Sequence, residues 1–403
     1  MINTDKKICV MGLGYIGLPT SALLANRGFN VHGVDINQNV IDTINNGDIH
    51  IVEPGLDTFV RAAVESGKLK AFLEPDKADV YIIAVPTPFK ANFEPDISYV
   101  IEAVKAILPY LKNGNIVLLE STSPVGTTDK IWRLIQEAGF EKDSIYVAHC
   151  PERVLPGFIM KELIENDRIV GGVNSISTTE AAKFYKNFVH GQILTTDAKT
   201  AEMAKLTENS FRDVNIAFAN ELSLICDRLS INVHELIKLA NHHPRVNILK
   251  PGVGVGGHCI AVDPWFIIHS AKDESKLIKN AREVNLNKTK WVLNKINESV
   301  KIFEKENNRL PKLSFMGLAF KPDIDDLRES PALMIVKDII KNYTNSIVVE
   351  PNCESVDGIK LTDVSTGLEE ADIIIYLVAH KEFKTSRPKA DKIIFDFCGV
   401  FAE

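Results

Sequence analysis

The sequence predicts an α/β protein in which two Rossmann-like doubly wound domains are joined by a central all-helical region. Three observations carry that prediction. A complete strand, glycine loop, helix, strand and acid unit opens the chain between Lys7 and Asp35. Helical spacing then runs over 200–229 and again over 276–307, with no proline or glycine in either stretch. From Leu313 onward short apolar runs return, without a second G-x-G-x-x-G. The expected boundaries are 1–197, 198–307 and 308–403.

The first unit starts on a short buried strand expected over 7–12 and turns through Gly12-Leu13-Gly14-Tyr15-Ile16-Gly17. A helical run, Leu18 to Arg27, follows and is closed by Gly28; a second strand, Asn30 to Val34, ends on Asp35. This order is the dinucleotide fingerprint in its structural context. Gly12 permits the tight turn, Gly14 lets backbone approach a pyrophosphate, and Gly17 lets helix and strand pack closely. The N–H groups at the helix start meet the phosphate charge. Asp35 stands where an acid accepts hydrogen bonds from the adenosine ribose and repels a 2′-phosphate, which favours NAD over NADP.

Further strands are expected over 79–85, 115–120 and 144–149. They lead into Pro86-Thr87-Pro88, Ser121-Thr122-Ser123-Pro124 and Cys150-Pro151-Glu152-Arg153. Such strand ends are where open α/β sheets bind ligands. Thr87 and Thr122 can hydrogen-bond a cofactor there; Ser and Thr at these points also serve as helix caps. The run Arg168-Ile169-Val170-Gly171-Gly172 closes the pattern, with an edge strand at 193–195.

In the helical middle, Met203, Leu206, Phe211, Val214, Phe218, Leu222 and Ile225 recur at helical spacing. Lys205, Asn209 and Arg212 fall at i, i+4 and i+7 on an adjoining stripe; a solvated polar face is the ordinary reading of such a stripe. A second helix spans 233–239. Asn241-His242-His243-Pro244-Arg245 then leads to Gly252-Val253-Gly254-Val255-Gly256-Gly257-His258-Cys259, followed by Asp263. Glycines strip side chains from this loop, so its backbone can approach a ligand. A thiol and a carboxylate follow at once. Buried cysteines and glycine turns are also common for purely structural reasons.

In the last hundred residues strands are expected over 313–319, 346–350, 373–378 and 392–396, with a helix over 332–341.

Bulk properties narrow the classes. A chain of 403 residues exceeds one ordinary core. A net charge of −7 argues against a nucleic-acid surface. The 6 cysteines are scattered, with no C-x-x-C pair, as in reduced intracellular proteins. The polar amino terminus carries no signal-peptide pattern, and no apolar run nears the ~20 residues of a membrane helix. A cytoplasmic protein with no membrane partner is expected. His242, His243, His258 and Cys259 match no standard zinc spacing, so no metal is expected, and His258 is read as filling a gap beside the thiol.

Taken together these motifs resemble the UDP-glucose/GDP-mannose dehydrogenase family along essentially the whole chain. Seven blocks in order carry the resemblance: Gly12–Gly17, Val85–Pro88, Ser121–Thr127, Cys150–Arg153, Glu202–Asn209, the Cys259 loop, and Phe320–Pro331. The UDP-glucose branch has a lysine before the aspartate of the thiol loop, where this chain has Val262. It also has a second glutamate where this chain has Pro156. Arg153–Gly157, His242–Asn247 and the wording after Cys259 are most similar to members acting on UDP-N-acetylhexosamines, the manno epimer above the gluco.

The resemblance implies an NAD-dependent, four-electron oxidation of the sugar C6 alcohol to a carboxylate. It implies Cys259 as nucleophile, because an aldehyde yields a second hydride only after a nucleophile has added. Lys205 and Asn209 would meet the charge developing on oxygen, and Lys205 would also accept the first alcohol proton. Asp263 and Glu152 would handle water protons, with Thr122 orienting the water. The cofactor would be held by Gly12, Gly14, Tyr15, Ile16, Gly17, Asp35, Thr87, Thr122 and Arg328. The UDP-sugar would be held by Arg153, Val154, Lys205, Asn209, Arg212, His243, Arg245, Gly256, Phe320 and Lys321. A homodimer through the central helices is also implied.

Overall fold

The computed structural model describes residues 5–257 and 259–402. The chain forms two compact units: Met1–Thr207 with Trp265–Ser270, and Glu208–Pro264 with Ala271–Glu403. The division falls inside the long helix Ala198–Leu229.

The first unit holds strands β1 (Lys7–Met11), β2 (Asn30–Val34), β3 (Leu69–Phe72), β4 (Val80–Ile83), β5 (Ile116–Leu119), β6 (Tyr146–His149), β7 (Arg168–Gly172) and β8 (Ile193–Asp197). They form one sheet in the order β3-β2-β1-β4-β5-β6-β7-β8. Every pairing is parallel except β6 with β7, which is antiparallel. Both faces are covered by separate apolar clusters, one around Ile8, Val10, Leu24 and Phe29, the other around Cys9, Tyr81, Val117 and Ile131. Strands of a sheet buried on both faces read as unbroken apolar runs, as Val80–Ile83 and Ile116–Leu119 do. The chain winds outward from β1 to β3, then crosses back to β4. The order reverses between β1 and β4, and that reversal opens a crevice at their carboxyl ends.

The second unit adds β9 (Leu313–Met316), β10 (Ile347–Val349), β11 (Ile373–Tyr376) and β12 (Ile393–Asp396), all parallel in the order β10-β9-β11-β12. The helix Lys276–Asn307 lays Val292, Ile296, Val300 and Phe303 into the core that includes Leu313, Phe315 and Ile375. The stretch after Cys259 does not stay a loop: Asp263 starts the helix Asp263–Ser270.

Candidate active site

The fingerprint glycines divide into two kinds. Gly12 has φ +92, and a Cβ there would stand 2.7 Å from the Ala84 carbonyl oxygen just past β4. A Cβ on Gly17 would overlap the Gly12 carbonyl. At Gly14 nothing among the described residues comes within 4 Å of an added Cβ. Two glycines thus hold the turn together, and the third keeps open the space a pyrophosphate needs. The first turn of the helix Gly17–Asn26 has no side-chain cap, so its N–H groups are not engaged that way. Asp35 accepts from the Leu13 N–H at 3.1 Å and the Asn37 N–H at 3.0 Å, which pins its carboxylate beside the loop. Tyr15 lies at the exposed rim and Ile16 is half-buried. These residues fit a dinucleotide.

Thr87 and Thr122 come together. The Thr87 hydroxyl donates to the Thr122 carbonyl at 2.5 Å, tying the loop after β4 to the loop after β5. The Thr122 loop is also held by Glu202, which is 1% exposed. Its carboxylate accepts from the Gly126 N–H at 2.6 Å, the Thr128 N–H at 2.7 Å and the Thr128 hydroxyl at 2.6 Å. An acid is favoured there because it faces the amino terminus of the helix Thr127–Glu137. Burial nonetheless pushes its pKa up, against those hydrogen bonds.

The thiol loop is built in the second unit. The Gly252 N–H donates to Asn220 at 2.9 Å, and Thr289 donates to the Val253 carbonyl at 2.9 Å. The Asn220 amide donates to Asn285 at 2.9 Å, and Asn285 in turn donates to the buried Asp213 at 2.8 Å. Arg282 completes this network with an ion pair to Asp213 at 2.6 Å. Two long helices thereby fix where the loop begins. Further on, a Cβ at Gly256 would meet the Glu329 carbonyl at 2.5 Å, Phe320 at 2.8 Å and Pro331 at 2.9 Å. The Gly257 N–H donates to the Arg328 carbonyl at 3.0 Å. Glycine here serves close backbone packing against the Phe320–Pro331 segment. Cys259, half-buried, sits where the chain turns into the next helix: its carbonyl accepts from Val262 at 3.0 Å and Asp263 at 2.9 Å. Asn209, 8% exposed, donates to the Asp263 carboxylate at 2.5 Å.

The remaining predicted residues are less gathered. Glu152 is buried and ion-paired with Arg168, while Arg153 donates to the Asp167 carbonyl. Val154 packs on the core of the first sheet. Lys205 is half-buried one helical turn before Asn209. Arg212, His243, Arg245 and Lys321 are exposed, and His243 Nδ1 accepts from the Arg245 N–H at 3.4 Å. Phe320 lays its ring against Gly257. Arg328 is held by Asp326 of its own loop, at 2.6 Å. His258 lies outside the described residues.

Comparison with known proteins bears on the same segments. Residues 6–189 match the NAD binding domain of the UDP-glucose/GDP-mannose dehydrogenase family, 199–287 its central domain and 314–403 its UDP binding domain. The chain belongs to the UDP-glucose/GDP-mannose dehydrogenase family. It is 54% identical to a UDP-N-acetyl-D-mannosamine dehydrogenase of Campylobacter jejuni, covering 98% of this chain and 100% of the relative. It is 50% identical to an NDP-N-acetyl-D-galactosaminuronic acid dehydrogenase of Ralstonia nicotianae, covering 98% and 96%. Its fold is similar to the solved UDP-N-acetyl-mannosamine dehydrogenase of S. aureus, with a TM-score of 0.87 at 44% identity, covering 98% and 95%.

As a member of this dehydrogenase family the chain uses NAD, and the matched NAD binding domain, residues 6–189, contains the fingerprint glycines and Asp35. Several supports of the candidate site are not visible as such in the sequence. Glu202 was legible only as part of a motif block, Arg168 as the start of a strand, and Asp213, Asn220, Arg282 and Asn285 not at all. Buried polar residues on a helical pattern are the signal that marks them. Among the described residues, Asp323, His380 and Glu382 place potential metal-ligand atoms within 4.8 Å of one another. Both His380 nitrogens are already engaged, Nδ1 by the Asp323 N–H at 2.9 Å and Nε2 by Glu350 at 3.1 Å. That group is a hydrogen-bonded corner of the second sheet.

Proposed function

We propose that this dehydrogenase oxidises UDP-N-acetyl-D-mannosamine at C6 to UDP-N-acetyl-D-mannosaminuronate, a precursor for an acidic surface polysaccharide. The observation that carries the reading is the thiol loop, where the Cys259 carbonyl accepts from the N–H of Asp263, whose carboxylate accepts from Asn209. The choice of sugar rests on the wording Ile260-Ala261-Val262-Asp263-Pro264 and on the mannosamine relative at 54% identity.

NAD, when bound, accepts hydride from C6, once in each of two oxidations. The chain's own residues supply the rest. Lys205 takes the proton from the C6 hydroxyl in the first oxidation. The Cys259 thiolate then adds to the aldehyde carbon, forming a carbon–sulfur bond and placing negative charge on oxygen. Lys205 and Asn209 stabilise that oxygen with an ammonium and an amide donor. After the second oxidation a thioester remains, and water must cleave it. Thr122 orients that water, and Asp263 and Glu152 receive its proton. Arg153, Val154, Arg212, His243, Arg245, Gly256, Phe320 and Lys321 are read as the UDP-sugar contacts, and Arg328 as a cofactor contact. The working form is read as a homodimer joined through the central helices, and the need for NAD makes the cytoplasm the expected compartment.

The test is stoichiometric. With purified protein, two NADH per UDP-N-acetylmannosamine consumed are expected, and slower turnover of the gluco and galacto epimers and of UDP-glucose. One NADH per sugar would rule out the thioester route; faster turnover of the galacto epimer would replace the substrate. Cys259→Ser is expected to bind NAD normally and to lose overall turnover.

A further inference from the structure

We propose that Arg168 is a positioning residue for the hydrolytic half of the reaction, acting through Glu152 from within the first sheet. The proposal rests on the reading of Glu152 as part of the water-handling group.

Arg168 opens β7 and is 3% exposed; Glu152, 7% exposed, follows β6, the antiparallel neighbour of β7. One Arg168 nitrogen donates to Glu152 Oε2, and the Arg153 N–H donates to Glu152 Oε1 at 2.8 Å. Both carboxylate oxygens are therefore fixed, yet each keeps a lone pair for a water hydrogen. The next residue pair repeats the link in reverse, since Arg153 donates to the Asp167 carbonyl. Two adjacent arginine links, pointing opposite ways, hold the Cys150–Arg153 block to the start of β7.

Arg168 is held in turn. Its guanidinium lies 5.6 Å from the Tyr185 ring centre, and the Tyr185 hydroxyl donates to Glu120 Oε1 at 2.7 Å. Glu120, at the end of β5, is 2% exposed and Tyr185 is fully buried. The Arg168 cation thus sits between the Glu152 carboxylate and the Tyr185 ring, whose hydroxyl is itself held by Glu120. A buried ion pair adds little stability over apolar side chains of the same size, so stability alone does not explain it; fixing one geometry does. The geometry it fixes is that of Glu152.

The step concerned is thioester hydrolysis. Water oxygen adds to the thioester carbonyl carbon and the carbon–sulfur bond breaks. One water hydrogen ends on the Cys259 sulfur, the other leaves as a proton, and no electrons are transferred. A glutamate displaced from the water's path slows this step and leaves the preceding oxidations alone.

The experiment measures acyl-enzyme by intact mass and NADH by stopped flow, with UDP-N-acetylmannosamine and NAD, in wild type, Arg168→Lys, Glu152→Gln and the double variant. Arg168→Lys keeps the charge and loses the fork geometry. It is expected to slow acyl-enzyme breakdown about 10- to 100-fold, with first-turnover NADH formation and NAD affinity unchanged. The double variant is expected to be no slower than Glu152→Gln, because a residue acting through another is non-additive with it. If Glu152→Gln is slow but Arg168→Lys breaks down its acyl-enzyme at the wild-type rate, or if the two effects multiply, the inference about Arg168 is overturned. If Glu152→Gln itself hydrolyses normally, the reading of Glu152 falls and the inference with it. Should Arg168→Lys not fold, Arg168→Met with Glu152→Gln buries no unpaired charge and is compared with Glu152→Gln alone; further slowing overturns the proposal.

Discussion

Asn209 donates its side-chain N–H to Asp263 across 2.5 Å, with both residues buried. The bond joins the long helix Ala198–Leu229 to the first residue of the helix that follows Cys259. It orients an amide and a carboxylate together, so neither is free to be optimised alone. Asp263→Asn is expected to fold, because the side chain stays the same size at a helix start that also accepts Asn. It is expected to accumulate thioester, seen as a mass increase on Cys259 after the oxidations. An Asp263→Asn enzyme that turns over at the wild-type rate with no mass increase would remove Asp263 from the water-handling group.

Gly14→Ala and Gly17→Ala separate the two kinds of fingerprint glycine. An alanine at 14 meets nothing among the described residues within 4 Å, whereas one at 17 overlaps the Gly12 carbonyl. Gly14→Ala is expected to melt like wild type while its KM for NAD rises about tenfold or more, since the added methyl enters the pyrophosphate's space. Gly17→Ala is expected to lose about 1–3 kcal/mol or more of stability to overpacking. Urea denaturation beside NAD titration reads both. Equal stability losses in the two variants would contradict the assignment.

Much of this was readable beforehand, for identifiable reasons. Strands such as Val80–Ile83 announced themselves because a sheet covered on both faces leaves no polar alternation. The glycine loops were readable because only glycine tolerates backbone contacts like those at Gly12 and Gly256. The strand Leu69–Phe72 is not legible in the sequence because Lys70 breaks its apolar run at the sheet edge. The antiparallel pairing of β7 is hidden because an apolar run such as Ile169–Val170 suits a strand of either direction. The apolar stripe on the long helix is legible in the sequence but its division is not: Leu206 is fully buried, whereas Phe211 is 68% exposed. Arg168 and Arg282 looked like ordinary charges, since a sequence does not display the carboxylate that lies beside each in space.

Glu120 gives a pH dependence whose sign can be worked out. Burial raises its pKa from 4.5 to about 7, against the pull of Arg168. Between those values the folded state holds a proton that the unfolded state has released, so this group's contribution to stability falls as pH rises. His149 works the other way. Burial lowers it from 6.5 to about 3, with Lys205 adding to the shift, so its contribution rises with pH across that lower window. Glu120→Gln removes only the first effect. Relative to wild type it is expected to gain roughly 2–3 kcal/mol of stability between pH 5 and pH 8, at roughly 1.4 kcal/mol per pH unit. Denaturation curves of the two proteins that stay parallel across this range would show that Glu120 does not carry the proton.

The long helix supplies the last prediction. Phe211, Phe218 and Ile225 recur at seven-residue intervals, with Leu229 one turn beyond, and are 68, 51, 47 and 60% exposed in the single chain. Residues seven apart on an α-helix share one side, so these four form a stripe of uncovered apolar surface. A two-fold partner covers such a stripe with its own copy, and each residue then counts twice. Full burial of one phenylalanine side chain is worth about 1.5–3 kcal/mol. Phe218→Glu removes that gain twice and brings two like charges to the same interface. Sedimentation velocity is expected to show a dimer for wild type and a monomer for Phe218→Glu at the same concentration. A Phe218→Glu protein that sediments like wild type would move the dimer contact to another face.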